Sequence, residues 1–192
     1  MTTMNIVPAF SSPIATTFVK TNELKPQKSE YREMNEGRYI SSSNRILEEH
    51  PQTKKIFLDV FKTLPLHYSN DFMISTSWYT KMEKGSYSLP HNHKNCFWSG
   101  VYYFEESNGS LELYNPSVEL SDFLIFPQQY NAYNSSTWTI NPLKNLLVFF
   151  PSYLKHRVIE HSDEKSRYSL AFNIIPIGGY GVSDSYYDTS WF

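Results

Sequence analysis

Phe72-Met73-Ile74-Ser75-Thr76-Ser77-Trp78-Tyr79 is where the chain changes its period. Phe72, Ile74, Thr76 and Trp78 alternate with Met73, Ser75, Ser77 and Tyr79, so successive side chains fall on opposite faces, the two-residue repeat of a β-strand. Working outward, Gly85 breaks the run and residues 87–93 are extended. Residues 98–105 form a second β-rich run, Ser107-Asn108-Gly109 is a turn signal, and Leu111 to Tyr114 is a strand that Asn115-Pro116 ends. Segments 138–140, 145–150, 156–160 and 167–175 complete the set. Upstream the repeat is helical. After Pro51, which suits a first turn, Ile56, Phe57, Val60, Phe61 and Leu64 recur at three- and four-residue spacing until Pro65. Ser43 or Asn44 can cap the helical stretch that starts near Ile46-Leu47. Residues 1–20 are extended, and 21–40 are polar and wrap the surface. A helix followed by many short strands predicts an α+β fold with an antiparallel barrel or sandwich. Residues 117–137, rich in Asn, Gln, Ser and Tyr, form a long loop of a kind that is often functional.

The bulk properties exclude several classes of function. A length of 192 residues favours one domain. Lys plus Arg (17) against Asp plus Glu (19) gives a net charge of −2, so no basic field attracts nucleic acid or an anionic membrane. The single cysteine, Cys96, cannot form an intramolecular disulfide and points to a reducing compartment; as a lone thiol three residues from His93 it reads better as a small packing residue than as a metal ligand. The N-terminus lacks a basic segment followed by an apolar run, and apolar stretches such as 146–151 are too short to span a bilayer. A cytoplasmic protein is predicted.

Three of the six histidines carry chemistry. His91 and His93 are one residue apart, so in an extended chain both imidazoles project from one face. His156 follows the apolar strand and the turn Pro151-Ser152-Tyr153, a way to return a third ligand across a sheet. Three protein ligands on one octahedral face leave three positions open, as oxygen activation at iron requires. A His-x-His pair beside Pro90 is also ordinary in loops. His50 and His67 sit by helix ends, and His161 lies in a polar turn that should be solvated. In Arg167-Tyr168-Ser169-Leu170-Ala171-Phe172-Asn173, alternation puts Tyr168, Leu170 and Phe172 on one face and Arg167, Ser169, Ala171 and Asn173 on the other. That polar face is either solvated, with Arg167 in a surface pair, or it receives a carboxylate that guanidinium and hydroxyl grip together.

Together, His91-Asn92-His93, Ser99-Gly100-Val101-Tyr102-Tyr103, the run from Phe149 to His156, and Arg167 to Asn173 closely resemble a family of 2-oxoglutarate/Fe(II)-dependent oxygenases of marine bacteria and their tailed phages, within the prolyl-hydroxylase-like superfamily. The resemblance spans roughly residues 72–176. It implies a double-stranded β-helix, a jelly-roll or cupin-like barrel with N-terminal helices packed outside. The chain then divides into helices and extended segments (1–70), the barrel core (71–176) and an aromatic tail (177–192) of one oxygenase domain. It implies Fe(II), 2-oxoglutarate and O2 as cofactors, decarboxylation to succinate, and His91 and His156 as metal ligands. His93 stands where the superfamily usually has Asp or Glu. Glu112 and Asp122 are the alternative carboxylates should His93 not ligate. Arg167 lies eleven residues after His156, the superfamily's spacing for the residue that salt-bridges the distal carboxylate of 2-oxoglutarate. Ser169 shares that task, Tyr103 resembles the tyrosine contacting the same group, and Asn173 extends the cofactor-binding face.

Two other readings are a cupin-like metal protein that does not use 2-oxoglutarate, and a catalytically idle β-barrel serving as a binding module. The substrate is left open, with duplex nucleic acid the poorest choice. A phage-encoded protein would work in the host cytoplasm. Loop 117–137 and the tail residues Tyr180, Tyr186, Tyr187, Trp191 and Phe192 are candidates for a substrate lid or a homodimer contact.

Overall fold

The computed structural model describes residues 4–118 and 125–191. A seven-stranded antiparallel sheet has the order β1-β8-β5-β10-β4-β3-β2, and a three-stranded sheet has the order β7-β6-β9. Their strands are β1 (Ala15–Phe18), β2 (Tyr31–Asn35), β3 (Arg38–Ser41), β4 (Asp71–Met82), β5 (Trp98–Tyr103), β6 (Leu111–Tyr114), β7 (Thr137–Ile140), β8 (Leu146–Pro151), β9 (His156–Val158) and β10 (Arg167–Ile177). The tail forms a small hairpin of β11 (Gly179–Tyr180) with β12 (Tyr187–Asp188). Among the described residues there is one α-helix, α1 (Pro51–Lys62); Ile46–Glu48 is a separate 3-10 turn.

Strand alternation explains the layering. On the outer face of the large sheet, Tyr102, Phe149, Leu170 and Phe172 form a core with the apolar stripe of α1. Phe57 stacks on Phe172 with centroids 5.4 Å apart, and Phe61 meets Trp98 edge-on at 5.6 Å. Each fully buried aromatic contributes about 1.5–3 kcal/mol. Gly100 is what lets Phe172 lie against the sheet, since a Cβ there would come within 2.2 Å of its ring. The inner face carries Tyr103, Val148 and Phe150, which pack with Leu111, Leu113 and Ile140 of the small sheet. Strand β8 is covered on both sides, hence its unbroken apolar run.

Residues 15–41 carry more regular structure than their composition suggests. Segment 15–18 pairs with β8, and 31–41 is a hairpin turning at Gly37 (φ +71°) that adds to the edge of β4. As an edge hairpin, β2 buries almost nothing and so carries no apolar period. Residues 87–93 form no ladder beyond a single antiparallel bridge from His91 to His156.

Candidate metal centre

That bridge builds the site. The His91 N–H donates to the His156 carbonyl at 2.9 Å and the His156 N–H returns the bond at 2.8 Å, so two imidazoles 65 residues apart in sequence leave the backbone side by side. The His93 N–H is held by the Ser152 carbonyl at 3.1 Å. A ligand nitrogen from each of His91, His93 and His156 lies within 4.8 Å of the others, and the rings are 4.5–5.4 Å apart.

Each ring is oriented from behind. Nδ1–H of His91 donates to the Leu89 carbonyl (2.8 Å), and Nδ1–H of His156 to the Leu154 carbonyl (2.9 Å). Nδ1–H of His93 donates to Asn173 Oδ1 (2.6 Å), and the Ser99 hydroxyl is 3.1 Å away. Asn173 is itself fixed: Nδ2 donates to Thr76 Oγ1 at 2.9 Å, and Oδ1 accepts from Ser99, whose hydroxyl meets that of Ser152 at 2.8 Å. With Nδ1 engaged on every ring, Nε2 is the free donor. Burial pulls the pKa of His156 down to about 3 and lowers that of His93, so both rings are neutral, as a metal ligand must be. The donor set suits a divalent transition metal.

Arg167 is 4 % exposed, and its Nε has no hydrogen-bond partner. One terminal nitrogen reaches only Met82 Sδ at 3.3 Å, and the guanidinium carbon lies 5.1 Å from the Tyr103 ring centre. The Tyr103 hydroxyl is buried and meets no partner at full hydrogen-bond geometry, although it faces the Arg167 guanidinium and favours its charged form. Burial lowers the pKa of Arg167 and raises that of Tyr103. Ser169, 3 % exposed, pairs across the sheet with Tyr103, so the two side chains share the inner face. The solvated alternative for the Arg167 face is thereby excluded. A buried guanidinium without a counter-charge costs several kcal/mol unless an anion arrives.

A family model described as "Putative 2OG-Fe(II) oxygenase" matches residues 76–173, more than half of the chain, and covers His91, His93, His156 and Arg167. The chain belongs to this family. As a 2OG-Fe(II) oxygenase it uses Fe(II), 2-oxoglutarate and O2. The fold agrees. HygX from Streptomyces hygroscopicus, solved with nickel and 2-oxoglutarate bound, superposes with a TM-score of 0.56 at 10% identity, over 78% of this chain and 74% of that one. An oxidoreductase of the 2OG-Fe(II) oxygenase family from Burkholderia pseudomallei gives 0.53 at 12% identity, covering 78% and 73%. The non-heme alpha ketoglutarate dependent epimerase SnoN, from nogalamycin biosynthesis, gives 0.59 at 8% identity, covering 80% and 69%. No curated protein matches the chain in sequence.

Several residues read differently in three dimensions. Glu112 points away from the histidines, because Leu111 and Leu113 take the inner face of β6, and it accepts from Arg157 Nε at 2.6 Å. His161 is not solvated but fully buried, since the Asn108 side chain clasps its turn through Ser162 and Asp163. Cys96 is half-buried, its thiol bonded to the Lys94 carbonyl. Asp122 and Phe192 lie outside the described residues, as do 119–124 of the long loop. Ser99, Ser152 and Thr76 support the site although the sequence reading assigned them no part in it; for Ser99 the signal was available, because residues 99, 101 and 103 share one face of a strand. No helix among the described residues is long and apolar enough to cross a membrane.

Proposed function

We propose that His91, His93 and His156 hold the iron through Nε2, with His93 replacing the usual carboxylate. Arg167, assisted by Tyr103 and Ser169, receives the distal carboxylate of 2-oxoglutarate. The two sheets then act as a closed double-stranded β-helix within one oxygenase domain spanning 1–192, its core at 71–176. The observation that carries this reading is the buried, uncompensated guanidinium of Arg167, on the same strand face as the Asn173 amide that orients His93.

Bound iron and 2-oxoglutarate supply activation of O2 coupled to decarboxylation of 2-oxoglutarate to succinate and oxidation of a substrate. The protein's residues do the rest. Leu89, Leu154 and Asn173 hold the three Nδ1–H groups and so keep Nε2 turned inward as a lone-pair donor. Arg167 donates two N–H groups to the distal carboxylate and Tyr103 adds its O–H, which sets the reach of the cosubstrate. Leu113, Val148, Phe150 and Leu154 line the interior and exclude water. In place of a carboxylate in the facial set, His93 leaves the metal one negative charge poorer, which widens tolerance for other divalent ions.

The substrate side is read from a neighbouring cleft of about 630 Å3. Trp138, Leu113 and His156 are directly opposite one another across β7, β6 and β9, and His156 bridges to His91, so the four form one row on the small sheet. Trp138 lies on the inner face yet is 49 % exposed, and it lines the cleft. Among the described residues no charged one lines it, and its size suits a small molecule, so the reading is a neutral small-molecule substrate. The test is anaerobic titration of the iron-loaded protein with 2-oxoglutarate, followed by assay of succinate in air. Saturable binding and succinate release are expected. Iron retention without 2-oxoglutarate binding would leave a cupin-like protein, and the absence of both an idle barrel.

A further inference from the structure

Behind Arg167 lies an unused histidine. Moving away from the metal ligands, five residues on from His156 and six back from Asn173, the chain brings His161 and Arg167 to the same end of the interior. Both flank Gly109: a Cβ at that position would stand 3.0 Å from Arg167 Cδ, 3.4 Å from Arg167 Nε and 3.3 Å from His161 Cβ. His161 is fully buried. Its Nε2 lies 2.9 Å from the Lys165 carbonyl. A carbonyl oxygen only accepts, so Nε2 carries the proton and Nδ1 of the neutral ring offers a lone pair. That Nδ1 is buried without a partner, as is Arg167 Nε, which can only donate. A missing acceptor and a missing donor thus sit on either side of the same glycine. The wall is tied in place, because Asn108 bonds Ser162 and Asp163 through four hydrogen bonds of 2.6–3.2 Å. Each unmet buried group is costly, and a small shift that paired the two on cosubstrate binding would remove both costs at once.

We infer that His161 is a positioning residue for Arg167. In this structure the two atoms do not bond each other; when the cosubstrate draws the guanidinium into place, Nδ1 of His161 is the acceptor that receives its Nε–H, which leaves the terminal N–H groups for the distal carboxylate, and Gly109 is the spacer that permits this approach. The inference rests on the assignment of Arg167 to the distal carboxylate. Held at Nε in the bound state, the planar guanidinium keeps its two forward N–H groups on the carboxylate. The role is confined to ligands with a distal carboxylate, which separates it from a packing role.

The experiment titrates iron-loaded, anaerobic protein calorimetrically with 2-oxoglutarate and with 2-oxobutyrate, which keeps the 2-oxo acid end and lacks the distal carboxylate. His161→Phe keeps a ring and removes the acceptor; it should weaken 2-oxoglutarate about tenfold or more, the loss of a hydrogen bond to a charged group, with 2-oxobutyrate binding and iron content unchanged. His161→Asn, whose amide oxygen falls near the Nδ1 position, should recover much of that loss. Gly109→Ala, which intrudes on the approach, should weaken 2-oxoglutarate selectively as well. Wild-type affinity in His161→Phe, or an equal loss for both 2-oxo acids, overturns the inference. Should His161→Phe not fold, unaltered 2-oxoglutarate affinity in Gly109→Ala overturns it instead. Failure of the parent protein to bind 2-oxoglutarate is a different result, which removes the role of Arg167 itself.

Discussion

The histidine end and the arginine end of the interior are finished in opposite ways. At the first, every rear nitrogen has an acceptor, supplied by Leu89, Leu154 and Asn173, and Asn173 has its own supports in Thr76 and Ser99. At the second, Arg167 Nε and the Tyr103 hydroxyl are buried with no partner at full hydrogen-bond geometry. A metal ion demands narrow ligand geometry, so the protein orients the donors in advance. An organic anion brings its own acceptors, so the protein leaves donors unsatisfied, and the destabilisation is relieved when the anion arrives. One end is built by adding hydrogen bonds, the other by withholding them.

The largest expected effect tests the first end. His156→Ala should lose bound iron altogether, measured by elemental analysis of purified protein; full iron occupancy would show that the imidazoles are not a metal centre. Arg167→Met tests the second end, and the contrast predicts two opposite changes. Affinity for 2-oxoglutarate should fall more than about a hundredfold, while the protein without cosubstrate becomes more stable by about 1–4 kcal/mol, because an uncompensated buried charge has been replaced by an apolar chain of similar volume. Thermal unfolding with and without 2-oxoglutarate reads both changes, and a lower midpoint in the unliganded variant would mean that Arg167 already has a partner.

Asn173→Ala sharpens the boundary between the two ends. The sequence places Asn173 with the cosubstrate face, whereas its amide is engaged by His93 and Thr76. Metal affinity should therefore fall about 10–100-fold, as for other groups that orient a ligand, with 2-oxoglutarate affinity of the metal-saturated protein little changed. Competition with a chelator measures the first and calorimetry the second. Glu112→Ala gives the smallest effect. Its pair with Arg157 is partly exposed and turned away from the interior, so stability should change by under about 1 kcal/mol and iron content not at all; loss of iron would reinstate Glu112 as a ligand.

Much of the scaffold was legible because strand alternation is a local property. The strands at 71–82, 111–114 and 167–177 were marked by alternation, those at 98–103 and 146–151 by short β-rich or apolar runs, and α1 by its three- and four-residue stripe. The hairpin of β2 and β3 was not, since the edge strand β2 needs only backbone partners and buries few side chains, and β3 is too short to show a period. At the site, the common face of Arg167, Ser169 and Asn173 was readable from parity alone. The burial of His161 was not, because its turn is polar in sequence and is covered by Asn108, a residue 53 positions away.

The sequence by itself determined which side chains share a face: His91 with His93, Arg167 with Ser169 and Asn173, and Tyr103 with Ser99. That follows from the two-residue repeat of an extended chain and needs no partner strand. Only the tertiary structure decided what each face meets. The His91–His156 bridge, the bond from His93 to an amide 80 residues away, and the arrival of Gly109 between His161 and Arg167 depend on register between distant segments. Register is set by the packing of both sheet faces at once, and a one-residue slip would turn every one of these groups to the opposite side.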